Sequence, residues 1–292
     1  MRCAVIANPV SGRRGGVLQA TAALTVLRRA GWEAELLESR WPGHATELAR
    51  DAAASGAQLV IAAGGDGTLS QIALGLRGTR VPLAPLPAGT GNDFCRAVGV
   101  SLEPETAAAQ ILRGHPRQID LMCLNSGRNW AVNMVGTGFD ARVTQRINCR
   151  SRRTAGPLAY LTAVAGELWH YAPTQLRVEV DGAGWEGPAL LAAVANGVSY
   201  GAGMNIAPHA VLDDGLLDVV VVGYIPRLEF LRTFPRVFRG THLSHPAVHS
   251  WRGKHVELHS ALPSPVVIDG DVTCQTPLTA DVGEEECLIW VP

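Results

Sequence analysis

The chain has 292 residues, 47% hydrophobic and 17% charged, with a formal net charge of −1 at neutral pH. That composition suits two globular domains with substantial cores, excludes a disordered tail and offers nucleic acid no bulk attraction. Six scattered cysteines without a CxxC pair read as reduced thiols, and no apolar run reaches transmembrane length, so the expected location is cytoplasmic with only peripheral membrane contact.

Arg2 to Ala7 reads as a first strand, ended by Asn8-Pro9 and the loop Val10-Ser11-Gly12-Arg13-Arg14-Gly15-Gly16. A helical run from Val17 to Ala30 follows, with Leu18, Ala22, Leu24 and Leu27 on its apolar side. This loop is neither a Walker A sequence nor GxGxxG, yet strand, glycine-rich loop and helix together present backbone N–H groups to an anion. Glu33 to Glu38 is a second strand, and His44 to Ala54 a second helix after Ser39-Arg40-Trp41-Pro42-Gly43.

A third strand containing Val60 and Ile61 stops at Gly64-Gly65-Asp66-Gly67, and Thr68 opens a helix. A phosphate suits that turn, but Asp66 would repel it unless a divalent cation stood between them. The plainer reading is a tight turn with Asp66 as a helix cap. Val81 to Leu86 leads into Pro87-Ala88-Gly89-Thr90-Gly91-Asn92-Asp93, a third glycine loop before a helix. Alternating strands and helices predict a mainly parallel sheet whose loops gather at the carboxyl ends of its strands, where ligands bind in such sheets. Glu105 to Arg113 is helical, and Gln118 to Leu124 is a strand containing Asp120.

Here the residues carry a resemblance. Asn8-Pro9-x-Ser11-Gly12, Gly64-Gly65-Asp66-Gly67-Thr68 and Pro87 to Asp93 resemble the three signatures of the diacylglycerol kinase catalytic-domain family, most closely its soluble bacterial branch, and the resemblance extends over essentially the whole chain. Ser39-x-x-Pro42-Gly43-His44-Ala45 is similar to the family's second nucleotide loop, with Ser39 where Thr is usual. The resemblance implies ATP and Mg²⁺ as cofactors. It also implies a phosphate cradle from Asn8, Ser11, Ser39, Gly64, Gly65, Gly67, Thr68, Gly89 and Thr90.

After Gly127 the pattern changes to short β segments: Trp130 to Val135, Leu176 to Val180, Leu190 to Ala195, Leu217 to Val222, Val256 to His259 and Val266 to Ile268. They predict an antiparallel β-sandwich, interrupted by helices near 140–148 and 157–171. The expected domains are a nucleotide-binding α/β domain over 1–125, rejoined by a final strand near 284–292, and a lipid-binding sandwich over 126–283, with the active site in the cleft.

Asp213-Asp214-Gly215-Leu216-Leu217-Asp218 is, as plain chemistry, an acidic turn opening a strand. It is similar to the family segment that holds a structural Mg²⁺, which implies Asp214 and the Leu216 carbonyl as ligands, with Asp93, Arg96 and Asp120 in the water-linked network around them. Ile268-Asp269-Gly270-Asp271 reads locally as a hairpin turn. The family has Asp-Gly-Glu there, which implies Asp269 as general base. Asp271, one methylene shorter than Glu, would join Asp66 at the catalytic Mg²⁺, directly or through water.

Arg142, Arg146, Arg150, Arg152 and Arg153 form one basic run, within 142–153. Arg227, Arg232, Arg236 and Arg239 interleave with Phe230, Leu231, Phe234, Val237 and Phe238, within 227–239. Such a basic amphipathic helix lies on an anionic leaflet or is a solvated face over a buried stripe. His242, His245, His249, His255 and His259 cluster, but without the spacing of a metal site.

The resulting expectation is an ATP-dependent kinase acting on a hydroxyl of a membrane lipid. The rivals are a soluble-metabolite kinase of the NAD kinase type, which shares Gly-Gly-Asp-Gly-Thr, and a nucleotide-binding regulator without transfer activity. No motif distinguishes diacylglycerol, phosphatidylglycerol or a sphingoid base as acceptor, or a monomer from a homodimer.

Overall fold

Strands that read as unbroken apolar runs must be covered on both faces, and the first third of the chain alternates such runs with helices. The computed structural model describes residues 1–12, 16–148, 166–201, 203–285 and 287–292. It divides into one unit of Met1–Leu121 with Glu284–Pro292, and a second of Met122–Gly283.

The first unit contains β1 (Arg2–Ala7), α1 (Gly16–Arg29), β2 (Glu33–Glu38), α2 (His44–Ala54), β3 (Leu59–Gly64), α3 (Asp66–Leu76), β4 (Leu83–Pro87), α4 (Asp93–Ala97), α5 (Pro104–Ile111) and β5 (His115–Ile119). Its sheet runs β2-β1-β3-β4, all parallel. The chain's last strand pairs parallel with β4 and antiparallel with β5. Every residue of β3 and β4 is buried. Helices α2 and α3 cross closely at Gly75, where a Cβ would stand 2.4 Å from the Thr46 carbonyl oxygen. The Thr46 hydroxyl donates across the same crossing to the Gln71 carbonyl at 2.8 Å.

The second unit contains β6 (Met122–Leu124), β7 (Asn129–Ala131), β8 (Met134–Gly138), α6 (Phe139–Asn148), β9 (Thr174–Val180), β10 (Ala183–Ala195), β11 (Leu217–Gly223) and α7 (Arg227–Thr233). Then come β12 (Val248–Gly253), β13 (His255–Ser260), β14 (Pro265–Ile268), β15 (Asp271–Gln275) and β16 (Leu278–Val282), while β17 (Cys287–Val291) is the strand that returns to the first unit. All its strand pairs are antiparallel, in a sandwich-like sheet that branches at β10. The first half of β10 pairs with β9, and its second half lies between β8 and β11. The pairing shifts register between Ala189 and Leu191, next to Pro188, which cannot donate to a ladder. One apolar core (Val135, Val178, Val194, Val219, Leu258) fills the sandwich. A second (Met134, Phe139, Ala193, Val220, Phe230) lies on the opposite face of β8, β10 and β11.

Four sequence expectations change. On α1, Leu18 and Ala22 are exposed, and Ala20 and Ala23 join Leu24 and Leu27 on the buried side. Gln118–Leu124 is two strands in different sheets, with Asp120 between β5 and β6. Trp130–Val135 is also two strands, because at Val132, Asn133 and Met134 the backbone N–H groups turn to a side chain instead of a ladder. Arg227 to Arg239 is no single amphipathic helix: α7 ends at Thr233, and a 3₁₀ segment begins at Phe234 with Pro235 in its first turn. Arg13, Arg14, Arg150, Arg152, Arg153 and most of the expected helix at 157–171 lie outside the described residues.

Candidate active site

Three glycine-bearing turns meet at the carboxyl ends of β1, β3 and β4. Asn8, directly after β1, holds two of them together: its side-chain amide donates to the Thr68 hydroxyl at 3.1 Å, and its carbonyl accepts the N–H groups of Ser11 and Gly16, both at 3.1 Å. Ser11 and Thr68 are both buried. The turns touch through their backbones. A Cβ at Gly12 would stand 2.3 Å from the Ala88 carbonyl oxygen, and one at Gly89 would stand 2.4 Å from Gly65 Cα. No side chain fits at either place. Asn92, at φ 52°, closes the third turn by accepting the Gly89 N–H and donating back to the Gly89 carbonyl.

Asp66 sits in the first turn of α3, where the N–H groups have no partner within the helix. Its Oδ1 accepts the Phe94 N–H at 2.9 Å, so it caps α4 and not its own helix. Among the described residues its other oxygen has no partner. Gly67 differs from its neighbours, because a Cβ there would meet nothing within 4 Å. Nothing in the protein's own packing requires a glycine at 67. Thr90 is exposed, and Ser39 donates its N–H to the Ala7 carbonyl at the end of β2. Beside Ser39, Trp41 stacks on His44 with ring centroids 3.8 Å apart.

In the second unit, Asp269 and Gly270 are the two turn residues of the β14–β15 hairpin, at φ 48° and 94°. The local reading of Asp-Gly as a turn and the reading of Asp269 as a functional group therefore meet in one residue. Its Oδ2 accepts the Val132 N–H at 2.8 Å, and its Oδ1 accepts those of Asn133 and Met134 at 2.9 Å. Three backbone donors thus fix the carboxylate against the start of β8. Asn133 is itself held, donating to the Ser199 carbonyl at 3.0 Å and accepting the Asn196 and Gly197 N–H groups on its own carbonyl. The Asn196 amide donates to the Val132 carbonyl at 3.0 Å. Motif reading passed over Asn133, Asn196 and Ser199. The available signal was polar residues inside apolar β segments, which need partners when buried.

Asp271 is exposed on β15. Asp214 accepts the Leu216 N–H and pairs with Arg252, which also reaches Asp218 at 3.1 Å. Asp93 is buried beside Arg96 at 3.4 Å, and Arg96 also donates to the Gly91 carbonyl. Arginine cations therefore already balance Asp214 and Asp93. Among the described residues no three His, Cys, Asp or Glu side chains converge. Asp66 fits a cation that keeps most of its waters. Mg²⁺ that keeps its waters and shares a ligand's phosphates needs only one or two carboxylates.

Comparison with known proteins places these turns in a family. The diacylglycerol kinase catalytic domain matches residues 2–124, and the YegS C-terminal NAD kinase beta sandwich-like domain matches residues 133–288. A diacylglycerol kinase of Mycobacterium tuberculosis is 35% identical over 283 residues, covering 95% of this chain and 90% of that protein. One of Bacillus subtilis is 30% identical over 273 residues, covering 92% and 89%. A crystal structure of a diacylglycerol kinase from Bacillus anthracis superposes with a TM-score of 0.76 at 22% identity, covering 100% of this chain and 97% of that one.

Proposed function

The chain belongs to the diacylglycerol kinase catalytic-domain family, and from that premise we propose that it transfers the γ-phosphate of ATP to a hydroxyl of a membrane lipid. One observation carries the reading. Three turns are pressed together so tightly that only glycine fits at their contacts, yet Gly67 faces open space at the start of α3, where its own N–H and that of Asp66 have no partner among the described residues. A glycine that the fold does not need is accounted for by a group that approaches from outside, and that end of a helix favours phosphate.

Phosphoryl transfer needs a cradle for the donor phosphates, compensation of their charge, and a base on the acceptor hydroxyl. Asn8, Ser11, Gly65, Gly67, Thr68, Gly89 and Thr90 form the cradle, and Ser39 extends it. Asp66 would hold a divalent cation through the oxygen that Phe94 leaves open, and that cation would offset phosphate charge. Asp269 takes the proton of the acceptor hydroxyl, late in transfer because an alcohol is a very weak acid. Its three N–H bonds fix where that proton must go. Asp271 stands two residues on, at the first position of β15. The apolar face of the second unit receives the acyl chains. Arg227, Arg232, Arg236 and Arg239 are exposed together with Leu228, Leu231 and Phe238, a combination suited to an anionic leaflet.

The test is purified protein with labelled ATP and Mg²⁺, offered diacylglycerol, phosphatidylglycerol or a sphingoid base in micelles, and NAD in parallel. Label is expected in a lipid and not in NAD. Transfer to NAD alone would move the protein to the soluble-metabolite class. Nucleotide binding without any transfer would make it a regulator.

A further inference from the structure

Just past the end of β2 the chain closes a turn over Trp41, Pro42, Gly43 and His44, with the His44 N–H donating to the Trp41 carbonyl at 3.2 Å. Pro42 at the second position and Gly43 at φ 86°, ψ −16° are the residues a type II turn favours. Such a turn brings its first and last side chains together. Here the Trp41 and His44 rings stack with centroids 3.8 Å apart and planes 15° from parallel. The imidazole is fixed in its turn, because its Nδ1 accepts the Arg40 N–H at 3.1 Å. A stiff corner and a ring behind it therefore hold the indole.

The pair stands apart from the core. Helix α2 buries Ala45, Ala49 and Ala52, His44 is only partly buried, and Trp41 remains 50% exposed. A ring with one face covered and half its surface in solvent has its other face open. An aromatic face that is already ordered suits a flat ligand, since little freedom is left to lose on binding.

This platform stands close to the glycine turns. The Ser39 N–H donates to the Ala7 carbonyl at 2.9 Å, which sets Ser39 beside Asn8, the residue that ties two of those turns. Trp41 is two residues further on, a reach of at most about 7 Å. In a nucleotide six covalent bonds separate the α-phosphorus from the base nitrogen. Two extended residues contain the same number, so that span is also about 7 Å.

We infer that Trp41 is the stacking platform for the base of the donor nucleotide, and that it makes the site favour purine over pyrimidine triphosphates. The inference rests on the kinase reading above and adds what recognises the half of the donor that the glycine turns do not touch. Those turns suit phosphate, which every nucleoside triphosphate carries, so any choice among triphosphates needs a group beyond them. Every base has a face to stack, but two fused rings cover more of an indole than one ring does.

The experiment titrates the full chain, with Mg²⁺ present, against ATP, UTP and inorganic tripolyphosphate, and follows calorimetry and indole fluorescence. The proteins are wild type, Trp41→Phe and Trp41→Ala. Wild type is expected to bind ATP about fivefold more tightly than UTP. Trp41→Ala should raise the Kd for ATP about tenfold, bring ATP and UTP together, and leave tripolyphosphate as it was. Trp41→Phe, which keeps a ring, should retain most of the ATP affinity but lose the fluorescence quenching that ATP causes in wild type. ATP binding by Trp41→Ala at the wild-type level overturns the inference. So does an equal loss of tripolyphosphate, because the change then acts on the turns and not on the base. Equal wild-type affinity for ATP and UTP, or quenching that persists in Trp41→Phe, overturns it too. Should Trp41→Ala fail to fold, those last two measurements decide the matter. Wild type that binds neither ATP nor tripolyphosphate defeats the kinase reading with this inference, whereas lipid phosphorylation indifferent to Trp41 and to the base defeats this inference alone.

Discussion

The two units build their candidate groups from opposite materials. In the first unit the chemistry is in the backbone: glycine turns directly after β1, β3 and β4, where almost every contact is made by main-chain atoms or by a residue within the turn. In the second it is in side chains gathered from distant stretches, with Asp269 bound to residues 132–134 and Asn133 bound to Ser199. Each turn of a backbone cradle must be contiguous, because neighbouring N–H groups point one way only when their residues are consecutive, even though three separate turns make up the cradle. A side-chain constellation has no such constraint, so its members need not be near one another in sequence.

The sharpest test of that contrast is Asp269→Asn. Turnover is expected to fall by about three orders of magnitude, the scale of a lost general base. The fold should survive, since the amide oxygen keeps the Asn133 and Met134 N–H bonds while the Val132 bond is lost. Steady-state kinetics with lipid, together with thermal unfolding, measure both. Turnover within tenfold of wild type would take Asp269 out of the chemistry and shift attention to Asp66. Asp269→Ala is a poorer test, because it leaves three N–H groups unsatisfied.

A second measurement looks at Asp140 of α6, a buried acid of the same unit whose carboxyl burial pushes up to about 7. Below about pH 4 Asp140 is protonated whether the chain is folded or not. Between about 4 and 7 the unfolded chain ionises while the buried group keeps its proton. Wild type therefore loses stability as pH rises through that window, by up to about 4 kcal/mol, and loses no more above it. Asp140→Asn carries no proton to lose. The difference in Tm between mutant and wild type should grow from pH 4 to 7 and then level. The other titratable groups nearby, Tyr171 and, across an apolar pocket, His242 and His245, are common to both proteins. A difference that stays flat with pH would show that Asp140 is not a buried acid.

The smallest effects come from a pair of glycines in the first unit. Gly89→Ala drives a methyl into Gly65 and should cost about 1–3 kcal/mol in chemical denaturation. Gly67→Ala meets nothing and should leave stability within about 0.5 kcal/mol of wild type. Its nucleotide affinity should nevertheless fall by about tenfold, one lost close contact. If Gly67→Ala binds ATP as wild type does, the turn is architecture and not a cradle.

Much of the first unit could be read from residues alone. The bounds of β1, β2 and α2 follow directly from apolar periodicity and from the Asn-Pro and glycine stops around them. In the second unit the β character was legible but the breaks were not. Nothing near Trp130 announces that three N–H groups will leave the ladder for a carboxylate more than a hundred residues later. Pro235 did announce the end of α7, and the arginine–aromatic pattern across it obscured that signal.

What the sequence alone determined is therefore local: which residues form strands, where glycine turns stand, and the family those turns resemble. Tertiary structure alone decided what Asp269 holds, that Asp66 caps α4, that Arg252 balances Asp214, and that Asp140 lies buried among hydrocarbon. The reason is physical. Periodicity and turn chemistry act over a few consecutive residues, whereas burial, hydrogen-bond partnership and the proton affinity of a carboxyl depend on atoms that only folding brings near.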